Sequence, residues 1–244
     1  MMAREPVTAR VTAMTHRGAV RDGNEDAIVI GAFTACGVDQ QDPTVLEVSL
    51  SAPLLIAVAD GMGGHAAGDL AAAHTVRSLA TACPRDQAGV EATLHQIDTD
   101  LMAMARADPA VAGLGTTVAG VLLTGDGGVV FGVGDSRVYV QHGGYLAQIS
   151  VDDRGPSGGL TDCLGGRTDA TPPQPKFSPL PSADRVLLCT DGLGDLVELE
   201  AIEELLNGSG GSSRIVKSLW AAAMNASGAD NITVALVEPG QRPP

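Results

Sequence analysis

Short apolar runs and glycine-rich turns alternate along this chain with two pairs of stretches that carry helical spacing. Residues 7–14 alternate apolar and polar side chains, the period of a half-buried strand. Ala27–Phe33 reads as a second apolar strand, and Gly37–Thr44 as a turn-rich connection. Val45–Leu50 reads as part of a hairpin ahead of the buried strand Leu54–Ala59, set near a cleft or serving as decoration. Over His65–Ala82 the period becomes helical, through Leu70, Ala73, His74 and Leu79. Val90–Ala107 repeats it with Leu94, Ile97, Leu101 and Met104 on one stripe, and Pro109 ends it. A dense β region follows at Thr116–Leu123, Val129–Val133, Arg137–Gln141 and Tyr145–Ile149, with Asp126-Gly127 and Gly143-Gly144 as hairpin turns. Arg185–Cys189 reads as strand, Glu198–Leu206 and Ser213–Met224 as helices, and Ile232–Val237 as the last strand. Two sheets with helix pairs packed outside would bury all these faces. We expect residues 1–238 to form one domain and the PGQRPP end, 239–244, a disordered tail.

Composition narrows the core and the partners. With 244 residues and 44% hydrophobic content a large core is possible, but only 2% is aromatic, so Val, Leu, Ile and Ala must build it. The net charge of −14 sets the surface against nucleic-acid phosphate and anionic membranes. Cys36, Cys83, Cys163 and Cys189 stand far apart with no C-x-x-C pair, which argues against zinc and for a reduced, cytoplasmic setting. The start MMAREPVTAR lacks a signal-peptide stretch, Val111–Gly125 is too short to span a bilayer, and a monomer is the default.

Four aspartates stand at strand ends. Asp60 closes PLLIAVA, Asp135 closes VVFGVG, Asp191 closes RVLLCT, and Asp230 opens NITVALV. If those strands lie in one sheet with the last reversed, all four carboxylates meet at one edge. Like charges that close need cations to neutralise them. An all-oxygen donor set suits Mg²⁺ or Mn²⁺.

Six motifs follow in order: RDGNEDA at 21–27, VADGMGGHAAG at 58–68, GTT at 115–117, GDSRVY at 134–139, LCTDGL at 188–193 and ADNITV at 229–234. Together they resemble the metal-dependent serine/threonine protein phosphatases of type 2C, in their compact bacterial form. The resemblance implies an α+β fold, a four-layer αββα sandwich of two antiparallel sheets flanked by helix pairs. It implies two Mn²⁺ or Mg²⁺ ions per chain and a weaker third. On this likeness Asp60 bridges both ions, the Gly61 carbonyl serves one, and Asp191 and Asp230 hold the other. Glu25 and Asp26 act through water, Asn231 orients Asp230, and Arg21 grips the substrate phosphate with its planar fork. His65 either gives the leaving oxygen its proton or faces solvent at a helix start. Other histidines, and the Thr116-Thr117 pair, read as packing or surface residues. Asp22 and Asp126 read as turn residues.

The family's flap subdomain is short here. In residues 150–179 the opening SVDD and the later LTDCLGG survive, but a helical middle is missing. We therefore expect an open cleft. Asp135 would share the third site, with Asp152 or Asp153 compensating for the lost flap ligand. The expected activity is metal-dependent hydrolysis of phosphoserine or phosphothreonine in proteins, by a hydroxide attacking phosphorus directly, opposing a serine/threonine kinase. The alternatives are a non-catalytic phosphoprotein-binding regulator on the same fold and a hydrolase of small phosphate esters.

Overall fold

In the computed structural model the described residues are 8–63, 65–125, 127–167 and 171–240, the side chains of residues 65 and 66 excepted. Strands β1 (Thr8–His16), β2 (Asp26–Ile30), β3 (Phe33–Cys36), β4 (Thr44–Ser49) and β5 (Leu54–Met62) precede helices α1 (His65–Ala82) and α2 (Gln87–Ala107). Then come β6 (Gly115–Thr116), β7 (Val118–Thr124), β8 (Gly127–Val133), β9 (Arg137–His142), β10 (Tyr145–Gln148), β11 (Leu164–Gly165), β12 (Lys176–Pro179) and β13 (Arg185–Cys189). Helices α3 (Asp191–Gly194), α4 (Leu199–Leu206) and α5 (Ser212–Ala226) lead to β14 (Ile232–Pro239).

One antiparallel sheet runs β10-β9-β13-β14-β1-β4. The other runs β11-β6-β5-β7-β8-β12, with the β2–β3 hairpin also joined to β5. The two-residue period of each central strand divides its side chains between two cores. On β5, Leu54, Ile56 and Val58 face the other sheet, while Leu55, Ala57 and Ala59 pack with Leu79, Leu94 and Leu101 of α1 and α2. On β13, Val186 and Leu188 join the inter-sheet core, and Leu187 and Cys189 pack with Ile202, Ile215 and Leu219 of α4 and α5. Three apolar layers thus separate four layers of structure, the αββα sandwich.

The differences from the sequence reading have local causes. Ala27–Phe33 is not one strand, because Gly31 at φ +58° turns the chain and makes the β2–β3 hairpin. Residues 45–50 do not pair with the Asp60 strand; β4 adds to β1 at the edge of the opposite sheet. The buried face of α1 is Ala67, Ala71, Ala72, Val76 and Leu79, and Leu70 is exposed. Alanine on every side of that helix leaves its apolar face poorly marked. Pro239 and Gly240, assigned to a disordered tail, are held by β1. Pro239 pairs with Ala9, and the Gly240 N–H donates to the Thr8 carbonyl at 2.6 Å. Residues 241–244 and Asp126 lie outside the described residues. Among the described residues no helix is long and apolar enough to cross a membrane.

With so few aromatics, Phe131 fills the α1–α2 side of its sheet only because a glycine lies beneath it. Ala57, Gly120 and Phe131 form one cross-strand row. A Cβ on Gly120 would stand 2.3 Å from the Phe131 ring and 2.8 Å from the Ala57 Cβ. Gly120→Ala should therefore lower stability in urea unfolding by about 1–3 kcal/mol, despite alanine's gain in chain entropy. Combining it with Phe131→Leu should cost less than the sum of the two single changes. Additive costs would show that the ring and the glycine are not coupled.

Candidate metal centre

The four strand-end aspartates come from both sheets, two from each, and not from one sheet as the apolar runs alone suggested. Asp60 lies within β5 and Asp135 follows β8, two strands of one sheet with β7 between them. Asp191 follows β13 and Asp230 precedes β14, adjacent strands of the other sheet. The acidic groups therefore meet where the two sheets end together. They line a cleft of about 400 Å³ that also takes in Arg21, Glu25, Gly61, Thr117, Leu160 and Asn231.

Close backbone approaches bring these elements together. A Cβ on Gly61 would lie 2.0 Å from the Gly68 carbonyl, and one on Gly68 would lie 2.0 Å from a Glu25 carboxylate oxygen. Gly68, unfavourable inside a helix, thus lets α1 lie directly on the Asp60 strand. Gly192 does the same for α3, since a Cβ there would meet the Asn231 carbonyl at 1.8 Å. Thr116 and Thr117 pack in the strand and hold the Asp60 backbone. The Thr116 hydroxyl donates to the Asp60 carbonyl at 2.8 Å, and the Asp60 N–H donates to Thr117 Oγ1 at 3.2 Å.

Asn231 ties the Arg21–Asp26 loop to β14. Its amide donates to the Arg17 and Gly23 carbonyls, its Oδ1 accepts from the Glu25 N–H at 2.7 Å, and its own N–H donates to Asp230 Oδ1 at 2.8 Å. Arg21 Nη2 donates to Asp230 Oδ2 at 2.7 Å. Asp26 sits opposite Asp60 in the β2–β5 register but is buried behind the cleft. One of its oxygens accepts from Thr190, whose hydroxyl in turn accepts from the Thr233 N–H. The His65 backbone opens α1, and its side chain lies outside those described.

Burial first, and mutual repulsion second, push these carboxyls upward. Asp26 rises to about 7 and Asp191 to about 6, and Asp60 lies well above the ordinary range. Asp60 is raised further by the nearby Asp26, Asp191 and Asp230 charges. Asp135 is also raised, because burial outweighs the attraction of Arg154. Asp26 Oδ1 and Asp191 Oδ1 are buried with no hydrogen-bond partner. Unpartnered buried oxygens and an all-oxygen donor set fit hard divalent cations. Among the described residues no three His, Cys, Asp or Glu side chains converge on one point. Asp230 turns instead to Arg21, and Asp135 to Arg154.

The region of the missing flap is compact. Residue 154 bridges to Leu160 around a turn, and no helix occurs among the described residues between 150 and 175. Asp152 and Asp153 are both engaged with other partners near Asp135. Asp152 accepts from Arg137 and Gln148, and Asp153 accepts from Lys176 and from the Gly134 N–H. The group that meets Asp135 is Arg154, which the sequence reading passed over. Its only sequence signal is a basic residue following two acids in the SVDDR stretch.

Two antiparallel sheets with outer helices and an acidic cleft fed by both define an αββα sandwich suited to metal-dependent chemistry. Residues 35–236 match protein phosphatase 2C, and the chain belongs to that family. The serine/threonine protein phosphatase PstP of Mycobacterium tuberculosis is 29% identical over 267 residues, covering 97% of this chain and 46% of the relative. The chain thus spans less than half the length of that protein. The serine/threonine phosphatase Stp of Listeria monocytogenes is 29% identical over 251 residues, covering 92% of this chain and 93% of the relative. A crystal structure of the PstP catalytic domain in complex with two manganese ions matches with a TM-score of 0.75 at 29% identity, over 96% of this chain and 100% of that one.

The raised carboxyls give a stability signature. Without metal, Asp26 and Asp191 bind protons more tightly folded than unfolded, where their value is 3.8. Their contribution is full below that value and is lost as pH rises through about 6 and about 7. Thermal melts of the metal-free protein should therefore fall between about pH 5 and about pH 8. Mn²⁺ should raise the melting temperature more at the upper end, because it competes with protons for the same oxygens. An equal Mn²⁺ shift at both ends would contradict this electrostatic picture.

Proposed function

We propose that this chain is a metal-dependent protein phosphatase that hydrolyses phosphoserine and phosphothreonine by direct attack of water-derived hydroxide on phosphorus. The observation that carries the reading is the meeting of Asp60, Asp191 and Asp230 from two sheets in one cleft with Arg21 at its wall. The naming of PstP and Stp as serine/threonine phosphatases, and the two manganese ions of the PstP domain, support it.

Asp60, the Gly61 carbonyl, Asp191 and Asp230 would hold two divalent ions, Mn²⁺ or Mg²⁺, with Glu25 at the cleft wall and Asp26 behind it acting through water. When bound, such a pair activates water and screens the charge of the phosphoryl group. The chain's own residues do the rest. Arg21 is about half exposed, with 48% of its side chain accessible, and is held by the Asp230 carboxylate. It can exchange Asp230 for two phosphate oxygens, a geometry its planar fork matches and a lysine would not. Asn231 fixes both the Arg21 loop and the Asp230 backbone, so substrate and metal ligands keep one register. We assign proton delivery to the leaving oxygen to His65, at the start of α1. The short loop between β10 and β12 leaves the cleft open to a phosphorylated segment of another protein. On this reading the chain would oppose a serine/threonine kinase and work as a monomer.

Phosphate release from a phosphothreonine peptide tests the reading. Activity should require Mn²⁺, vanish with EDTA, and fall by about 10²-fold or more in Asp191→Asn, the scale for losing one preorganised electrostatic group. Arg21→Lys should raise KM more than it lowers kcat. Full activity in EDTA, or in Asp191→Asn, would sink the proposal. A strong preference for small phosphate esters over phosphopeptides would move the substrate class instead.

A further inference from the structure

Arg154 lies just outside the cleft lining, in the compact segment that follows β10. Its guanidinium stands among three carboxylates. Nε donates to Asp135 Oδ2 at 2.8 Å, Nη2 donates to Asp195 Oδ2 at 2.5 Å, and Asp191 Oδ2 is 3.8 Å from Nη2. Asp135 and Asp191 are walls of the metal cleft, so this cation faces the centre from its outer side.

An exposed ion pair is worth little, being screened by water and salt, and would carry no function. The setting of Arg154 differs from that. Only 26% of its side chain is accessible, against 48% for Arg21. The neighbouring Asp153 is buried, and its backbone N–H donates to the Gly134 carbonyl while its carboxylate accepts from the Gly134 N–H. The loop is thereby fastened to the turn that carries Asp135. On the other side Arg137 holds Asp195 Oδ1 at 2.8 Å and the Gly194 carbonyl at 2.5 Å. Both ends of the Arg154 contact are therefore braced, and the guanidinium keeps its charge at every accessible pH.

We propose that Arg154 is a tethered counter-cation of the metal centre. It takes the position between Asp135 and Asp191 that a further divalent ion would otherwise find, holds the centre to two ions, and acts as a positioning residue for Asp191. This deepens the phosphatase reading and rests on it. The loss of a flap ligand and the presence of an arginine in the same short segment then become one feature: the chain supplies from its backbone-anchored loop the charge that it does not recruit from solution.

Counting Mn²⁺ bound to the full chain, by calorimetric titration and by the electron paramagnetic resonance signal of the free ion, tests this. The wild-type chain should bind two ions, Arg154→Met should bind one more, and Arg154→Met with Asp135→Asn should return to two. Arg154→Lys keeps the charge and should stay at two. Without metal, Arg154→Met should also melt lower than wild type, and excess Mn²⁺ should raise it further than it raises wild type. If that variant folds only with metal, the count is made after refolding in Mn²⁺ and gel filtration. Three ions on the wild-type chain, or two on Arg154→Met, would overturn the proposal. No Mn²⁺ on the wild-type chain would instead overturn the phosphatase reading, so the two failures are told apart by the wild-type count alone.

Discussion

Bringing like charges out of water and into contact is the demand around which the rest of this molecule is arranged. An ionised carboxylate taken from water into a protein interior meets an effective penalty of several kcal/mol. Here Asp26 and Asp60 are paired across one ladder, and Asp191 and Asp230 approach them from the facing sheet. The metal-free fold meets this demand in two ways: it raises the proton affinity of some of the acids, and it places an arginine on others. The protons and the Arg21 contact could give way to cations, while Arg154 is held by two carboxylates, and that would make the cluster a binding site and not only a defect. The stability that tolerates it comes from the three apolar layers, which are almost fully buried.

Rigidity of the backbone is the second requirement, because carboxylates left free to move would relax apart. The glycines at 61, 68 and 192 act here through absence of bulk, not through unusual dihedral angles. Each lets one main chain touch another, and each contact sits within two residues of an acidic side chain of the cluster or directly against it. Thr116, Thr117 and Asn231 then occupy the hydrogen-bonding groups that such contacts would leave unpaired. The polar residues of the site are thus as structural as its core residues, and a substitution among them would disturb geometry before it disturbed charge.

Much of this was legible in the sequence, and what was not has physical reasons. Period-two and helical spacing located β1, β5, β13, β14 and both helix pairs, since each buries a regular face. Aspartate at the end of an apolar run marked Asp60 and Asp191, because a strand end in the core has no other reason to carry a charge. Periodicity says nothing about which strand lies beside which, so the one-sheet arrangement was a natural error and the edge pairing of β4 went unseen. The elements missed altogether are β11 and α3, too short to show a period, and β12, half-buried at a sheet edge and ending in proline. Arg154 was invisible for another reason. Its partners stand 19 and 41 residues away, and a pairing across such distances leaves no local pattern.

The two arginines of the centre divide the work between them by how they are held. Arg21 reaches Asp230 through one hydrogen bond from a loop that Asn231 anchors, and about half of its side chain meets solvent. Such a contact can be traded for a phosphate at small cost, because the new partner offers two oxygens where one carboxylate oxygen was given up. Arg154 has two carboxylate partners, a third nearby, and a loop tied to the strand end on which one of those partners rides. Exchanging it would strand several acids at once, so on the proposed reading it would stay while Arg21 moved. On the proposed reading, a substrate entering this cleft would meet one cation that can leave its carboxylate and another that cannot, and the acidic centre could receive a phosphate without losing its own balance of charge.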